Sequence, residues 1–225
     1  TPANLVNDTI LGGEGDDSII ASYGFDSVDG GAGVDTYDAR LFNFPVIIDL
    51  IAGTLSNGVD TITLASIENL LDGSAGSFIA GSSGANSLDG GAGNDTLIGR
   101  DGDDVLIGGA GADSLDGGGN DVADFASYQT ATTAVTVYAA APASNPGDAA
   151  GDVYVGIEGW ILTGVGSGDT FFGGAAAERV FALDGNDVVF GNAGNDQNWA
   201  GNGNDFILPG AGAHAPAHEA DVGRH

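Results

Sequence analysis

Gly90-Gly91-Ala92-Gly93-Asn94-Asp95-Thr96-Leu97-Ile98 reads G-G-x-G-x-D-x-U-x, where U is a large apolar residue. The next nine residues, Gly99-Arg100-Asp101-Gly102-Asp103-Asp104-Val105-Leu106-Ile107, keep the pattern, and so do Gly108-Gly109-Ala110-Gly111-Ala112-Asp113-Ser114-Leu115-Asp116. Three tandem copies in unbroken register mark a repeat architecture, in which no single unit can bury its own apolar face. Glycines at positions 1, 2 and 4 permit positive φ and a tight turn, leaving backbone carbonyls free to point inward. The Asp at position 6 adds a hard, charged oxygen. Calcium takes six to eight oxygens in irregular geometry, so carbonyls and carboxylates together suit it.

Positions 7 to 9 form a very short strand with position 8 facing inward. In the clearest copies position 8 is Ile19, Val28, Leu88, Leu97, Leu106, Leu115, Val189 or Ile207. One nonapeptide makes half a coil and two make a coil of 18 residues, so loops on successive coils stack. Each G-x-G runs on to Asp where a dinucleotide-binding loop would need a third Gly, and that reading fails.

These repeats resemble the RTX (repeat-in-toxin, haemolysin-type calcium-binding) family. The resemblance implies an all-β, right-handed parallel β-roll, a β-solenoid with several Ca²⁺ ions, each between two stacked loops. Paired loops predict roughly five to ten ions. The candidate ligands are Asp8, Gly13, Gly15, Asp17, Asp26, Gly31, Gly33 and Asp35 in the first block. The second block supplies Gly91, Gly93, Asp95, Gly102, Asp104, Gly109, Gly111, Asp113 and Asp121, and the third Asp169, Gly185, Asp187, Gly194, Asp196, Gly203 and Asp205.

Around the repeats the chain divides into blocks and inserts. Residues 1–38 hold the first block, with a worn N-terminal copy as cap. Residues 39–71 break the period with Phe44-Pro45-Val46-Ile47-Ile48-Asp49-Leu50 and then Ile67-Glu68-Asn69-Leu70. The second block, 72–124, begins with a poor copy near Asp72. A second insert, 125–163, repeats the plan of the first through Ala134-Val135-Thr136-Val137-Tyr138 and Ile157-Glu158-Gly159-Trp160. The third block is 164–217 and the tail 218–225. The inserts are expected to be irregular coils of the same solenoid. About twelve coils at roughly 4.8 Å each predict a rod on the order of 60 Å long.

Composition agrees. Gly 41 in 225 residues is excessive for an ordinary domain, yet 42% hydrophobic residues is too many for a disordered one. The net charge of −28 comes from 32 acidic residues against four Arg, which excludes nucleic acid as a partner and makes divalent cations the counter-charge. With no Cys, metal is the expected staple of a loop-rich fold. No apolar run approaches membrane-spanning length, since Asp49 cuts the longest candidate. Thr1, in place of an initiator Met, suggests a processed product or a fragment, and the segment His214–His225 does not resemble a type I secretion signal.

No H-E-x-x-H and no G-x-S-x-G occurs, and adjacent acids such as Asp103-Asp104 belong to the repeat, so no active site is expected. His214 and His218 are expected in a solvated or capping tail. Glu68 and Glu158 are acids in apolar segments, expected to bond neighbouring backbone or to close a metal shell. Asn86, Glu178 and His214 depart from Asp at position 6 and put their half-sites in doubt. Position 9 is often Asp in the first two blocks but becomes Phe172, Phe181, Phe190, Trp199 and Leu208 in the third. Such an outward apolar ladder predicts an interface with a protein or glycan partner, or a cap folded back over it. The reading is of a non-enzymatic calcium-binding structural or interaction module, extracellular or on the surface of a Gram-negative cell. It would fold on meeting calcium after export and belong to a surface protein, adhesin or larger assembly. The alternative is the C-terminal accessory region of a secreted polysaccharide-modifying or lipolytic enzyme.

Overall fold

The computed structural model describes residues 6–73, 75–119, 122–163, 166 and 168–212. Within them the chain is all-β apart from two single 3-10 turns, Pro142–Ser144 and Gly147–Ala149. Most strands are three residues long because the nonapeptide leaves room for no more. Val105–Ile107, for example, is bounded by the loop residue Asp104 before it and Gly108 after it.

Pairing is parallel and steps by one coil. Ser87, Leu88 and Asp89 pair with Val105, Leu106 and Ile107, and Thr9 pairs with Ser27. Successive nonapeptides therefore alternate between two sheets. The first sheet runs from Thr9–Glu14 through Ser27–Ala32, Phe78–Ala80, Thr96–Arg100 and Ser114–Gly118 to Val153–Val155. The second runs from Ser18–Ile20 through Thr36–Asp38, Asn69–Leu71, Ser87–Asp89, Val105–Ile107, Phe125–Ser127, Gly159–Ile161 and Arg179–Phe181 to Gln197–Trp199. A third sheet of four strands comprises Thr136–Tyr138, Thr170–Phe172, Val188–Phe190 and Phe206–Leu208. This is the parallel β-roll expected from the repeat.

Position 8 fills the space between the sheets. Leu70, Leu88 and Leu106 from the second sheet, and Ile79, Leu97 and Leu115 from the first, are fully buried in one continuous core. Each such side chain contributes about 1.5–3 kcal/mol by leaving water. Ile207, at the end of the third sheet, is only partly buried. Asn198 breaks the apolar series opposite Val180, and its Oδ1 has no hydrogen-bond partner.

The two inserts interrupt the pairing in different ways. In the first, Thr54–Ser56 lies antiparallel between Ile47–Asp49 and Thr61–Ala65, whose outer neighbours are Phe78–Ala80 and Ser27–Ala32. The chain reverses at Asp49, whose Oδ1 accepts from the N–H groups of Ile51 and Ala52, and again at Asn57, whose Oδ1 accepts from Val59 and Asp60. The irregularity expected of this insert is thus an antiparallel meander that keeps the first sheet continuous.

The second insert has no middle strand. Val153–Val155 ends the first sheet and Thr136–Tyr138 begins the third. Side chains bridge the interval: Asn145 Oδ1 accepts from Tyr138 N–H at 2.7 Å, and Asn145 Nδ2 donates to Tyr154 Oη at 3.0 Å. Tyr154 and Tyr128 hydroxyls bond each other, and Tyr128 donates to Asp152 Oδ2 at 2.7 Å. Burial of this network pushes the Asp152 carboxyl up to about 6.

Candidate metal centre

The strand of each nonapeptide is entered through the residue at position 6, and these residues form two stacked rows. In the first row Asp8 N–H donates to Asp26 Oδ1 at 2.9 Å, Asp95 N–H to Asp113 Oδ1 at 2.8 Å, and Asp113 N–H to Asp152 Oδ1 at 3.0 Å. The row continues along the third sheet, from Asp169 N–H to Asp187 Oδ1 at 2.8 Å and from Asp187 N–H to Asp205 Oδ1 at 2.9 Å. The other row runs from Asp17 to Asp35 (2.8 Å), Asp35 to Glu68 (2.9 Å), Asn86 to Asp104 (2.7 Å), Asp104 to Asp124 (2.8 Å), Asp124 to Glu158 (3.1 Å) and Glu178 to Asp196 (3.1 Å). One carboxylate oxygen thus holds the backbone of the preceding coil. The other is left over.

That second oxygen sorts the rows. In Asp17, Asp35, Asp95, Asp113, Asp187 and Asp196 it is buried without a hydrogen-bond partner, while Glu178, whose Oε1 accepts from Gly174 N–H of its own loop, has its carboxyl beside that of Asp196. Asp35, Asp95, Asp113, Asp187 and Asp196 are at most 2% exposed. Unpaired buried carboxylate oxygens carry a heavy desolvation cost and call for a counter-charge. Burial is the main reason that Asp95 rises to about 7 and Asp187 to about 6, with neighbouring carboxylates adding to the shift. Asp113 and Asp169 move in the same direction for the same reason.

Elsewhere the protein occupies both oxygens. Ser22 Oγ donates to Asp26 Oδ2 at 2.6 Å, Thr163 N–H to Asp169 Oδ2 at 2.9 Å, and Tyr128 takes Asp152 Oδ2. Asn86 is satisfied likewise: its Oδ1 accepts from Ser82 N–H at 2.6 Å and its Nδ2 donates to Glu68 O at 2.8 Å.

The loop glycines have two separate reasons. Gly13, Gly15, Gly31, Gly33, Gly91, Gly93, Gly102, Gly109, Gly111, Gly194 and Gly203 all have positive φ. Gly185 joins the stack through its N–H, which donates to Asn202 O at 2.9 Å. Position 1 differs from the expectation. Gly90 has no positive φ, but a Cβ there would lie 2.8 Å from Asp95 Oδ2, and one on Gly191 would lie 2.6 Å from Asp196 Oδ2. Position 1 is glycine because the carboxylate of its own repeat folds back over it. Positions 2 and 4 need glycine for conformation as well. Among the described residues four that are not glycine adopt the left-handed region, including Arg100 (φ 85°), Leu183 (φ 71°) and Asn192 (φ 62°), each at position 2.

Among the described residues no three acidic or histidine side chains converge on one point. A cation here would draw on one or two carboxylates and on backbone carbonyls. Stacked loops offer such carbonyls at close range, since a Cβ on Gly109 would strike Gly91 O and one on Gly31 would strike Gly13 O. Anionic, neutral-oxygen and irregular, this donor set fits Ca²⁺.

Sequence reasoning missed Asp124 and Asp152, which enter Phe125–Ser127 and Val153–Val155. Their loops lack the full G-G-x-G. Gly117-Gly118 precede Asp124, but two extra residues separate them from it and the inward residue is the small Ala126. Asp152 keeps the acid and the inward Tyr154 without the glycines of positions 2 and 4. Asp121, chosen in that region, lies outside the described residues, as does the tail from His214. Glu68 and Glu158 each accept from the N–H of the preceding row member. Asp35 O in turn takes two N–H groups, from Glu68 and Asn69, and Asp124 O takes those of Glu158 and Gly159.

No helix among the described residues is long and apolar enough to cross a membrane. No curated protein matches the sequence. The sequence profile of the RTX calcium-binding nonapeptide repeat matches residues 4–43, 72–106, 80–115, 98–124, 163–197 and 172–207. Those segments span more than half of the 225 residues and carry most of the stacked carboxylates, and the chain belongs to the RTX calcium-binding nonapeptide repeat family.

Proposed function

We propose that the chain is a non-enzymatic, extracellular structural or interaction module that folds when it meets calcium after secretion. The observation that carries this reading is the series of buried second oxygens without partners, from Asp17 to Asp196. Asp17, Asp35, Asp95, Asp113, Asp187 and Asp196 would hold the ions together with carbonyls of the glycine loops. Bound calcium supplies the positive charge that these rows otherwise lack.

Without it, stacked carboxylates oppose one another, and three-residue strands bury too little to compensate. Extracellular calcium modules bind at about 10⁻⁴–10⁻³ M, so the chain stays open at cytosolic calcium and closes outside. That behaviour suits export of an unfolded chain through a type I exporter and a place at the surface of a Gram-negative cell, in a surface protein, adhesin or larger assembly. An accessory region of a secreted polysaccharide-modifying or lipolytic enzyme would use the same module, and the presence of a catalytic domain upstream of Thr1 separates the two. Far-UV circular dichroism tests the folding claim: β-structure should appear on adding millimolar calcium and vanish on chelation. Unchanged spectra would refute it.

The contact surface lies on the third block. Tyr138, Phe172 and Phe190 stack along the third sheet, with centroids 4.6 and 4.9 Å apart and rings within 5° of parallel. Phe181 and Trp199 stack at 4.5 Å along the second sheet, and Leu208 stands exposed beside Phe190. Rings that cover each other's faces leave mainly edges outward. A sugar needs a free ring face, so an apolar protein surface is the better occupant. Replacing Phe172, Phe190 and Trp199 with Ser should abolish assembly while calcium-dependent folding survives. Loss of folding instead would make the ladder an internal seam.

A further inference from the structure

The repeat 72–80 departs twice from the pattern, and the two departures lie in one place. Position 1 is Asp72 where the tandem copies have Gly, and position 6 is Ser77 where they have Asp. A side chain branching from position 1 enters the volume of the position-6 carboxylate, as the 2.8 Å approach of a Gly90 Cβ to Asp95 Oδ2 demonstrates. In this repeat the small residue and the acid have exchanged ends of that volume.

Asp72 is 3% exposed, and neither of its oxygens has a hydrogen-bond partner of good geometry, although the Ser77 hydroxyl and the Gly73 N–H lie close enough to act on the carboxylate. The Ser77 hydroxyl, which lies beside it, donates to Ala75 O at 3.0 Å. Ser77 otherwise behaves as a row member, its N–H donating to Asp95 Oδ1 at 2.6 Å. Asp95 Oδ2, on the next coil, is also buried and unpartnered. The loop that carries Asp95 stacks directly on Asp72: a Cβ on Gly91 would lie 2.8 Å from Asp72 O, and Asp95 Oδ1 already reaches Ser77 N–H in the Asp72 repeat. Arg40, on the adjoining insert, is engaged by Asp38 at 2.6 Å and does not neutralise either carboxylate.

We propose that Asp72 replaces the missing position-6 carboxylate and, with Asp95 Oδ2, holds a calcium ion between the coil that carries Asp72 and the coil that carries Asp95. The inference rests on the reading of the stacked rows as calcium half-sites. It adds a site where the repeat pattern alone counts a lost one, at the junction of the first insert with the second block. Two buried carboxylates without well-formed hydrogen bonds on Asp95 Oδ2 and on the Asp72 oxygens, supplemented by loop carbonyls, form a donor set for a hard divalent cation.

The experiment counts calcium bound per full-length chain at saturation, by equilibrium dialysis or native mass spectrometry. Wild type is compared with Asp72→Asn, with the exchange variant Asp72→Gly/Ser77→Asp, and with Asp187→Asn as a control in the third block. Asp72→Asn should bind one ion fewer, the exchange variant should bind the wild-type number, and Asp187→Asn should lose at least one. A full count in Asp72→Asn beside a loss in Asp187→Asn overturns the assignment of Asp72 alone. A full count in both overturns the half-site reading and this inference with it. Should Asp72→Asn fail to fold, the exchange variant decides, because loss of an ion there means that the two positions are not equivalent.

Discussion

Asp95 gives its N–H to Asp113 Oδ1 at 2.8 Å, across the 18 residues of one coil, while Asp113 Oδ2 stays buried and unpartnered. The same carboxyl group thus stacks the coils and leaves an anionic oxygen inside the loop. Stability and metal binding are coupled through these groups, and the following outcomes derive from that coupling.

The calcium-free chain should favour mild acid. Asp95 rises to about 7, and Asp187 and Asp152 to about 6, all above the ordinary value of about 3.9 for an unfolded Asp. A raised carboxyl contributes stability that is complete below the unfolded value and lost as pH climbs through the folded one. Asp49 works oppositely: Arg100 lowers it to about 2, and its contribution is lost only below the unfolded value. Circular dichroism of metal-free protein should therefore show more β-structure near pH 5 than at pH 8, with calcium abolishing the difference. More structure at pH 8 without metal would contradict this.

Asp26 and Asp35 should respond differently to neutralisation. Asp26 has both oxygens occupied, by Asp8 N–H and Ser22 Oγ, whereas Asp35 Oδ2 has none. Asp35→Asn should lower the calcium count, and Asp26→Asn should leave it intact. Equal losses in a calcium titration would mean that Ser22 yields its bond to the ion.

Much of this was legible beforehand. The nine-residue period fixes Asp95, Leu97 and their equivalents, because conformation, charge and burial each demand one residue type at one place. The entries at Asp124 and Asp152 were hidden because the stack needs only the acid and the inward apolar residue. Ahead of Asp124 the glycines Gly117 and Gly118 remain but the spacing is lengthened and the inward residue is Ala126, and ahead of Asp152 the glycines of positions 2 and 4 are lost. The turns of the first insert, at Ile51-Ala52-Gly53 and Asn57-Gly58, are legible as turn sequences, but turns alone do not distinguish an antiparallel meander from an irregular coil. The division between occupied and unpartnered second oxygens depends on hydroxyl and amide donors from residues such as Ser22 and Thr163, and only coordinates bring those together.

Asn198→Leu should stabilise the folded chain. Asn198 is the inward residue of Gln197–Trp199, 8% exposed, with Oδ1 unsatisfied. Removing such a group and filling the space with an apolar side chain of similar size is worth about 1 kcal/mol or more. Urea unfolding in saturating calcium would register it as a higher midpoint. A lower midpoint would show that the amide has a polar role in the stack.

Arg100→Gly should be close to neutral. The guanidinium engages both oxygens of Asp49, at 2.9 and 2.7 Å, and ties the first insert to the second block. A partly exposed pair of this kind contributes up to about 1 kcal/mol. The left-handed backbone of Arg100 costs a similar amount, about 1–2 kcal/mol, which glycine relieves. A shift in unfolding free energy beyond about 1 kcal/mol in either direction would mean that one of the two terms dominates.

The central claim is that the buried, unpartnered carboxylate oxygens face calcium. A crystal structure in saturating calcium tests it most directly, with the ions located by anomalous scattering. The account predicts ions within about 2.3–2.6 Å of the second oxygens of Asp35, Asp95, Asp113, Asp187 and Asp196. The same carboxylates turned to solvent, or paired only with protein groups and with no ion beside them, would contradict it.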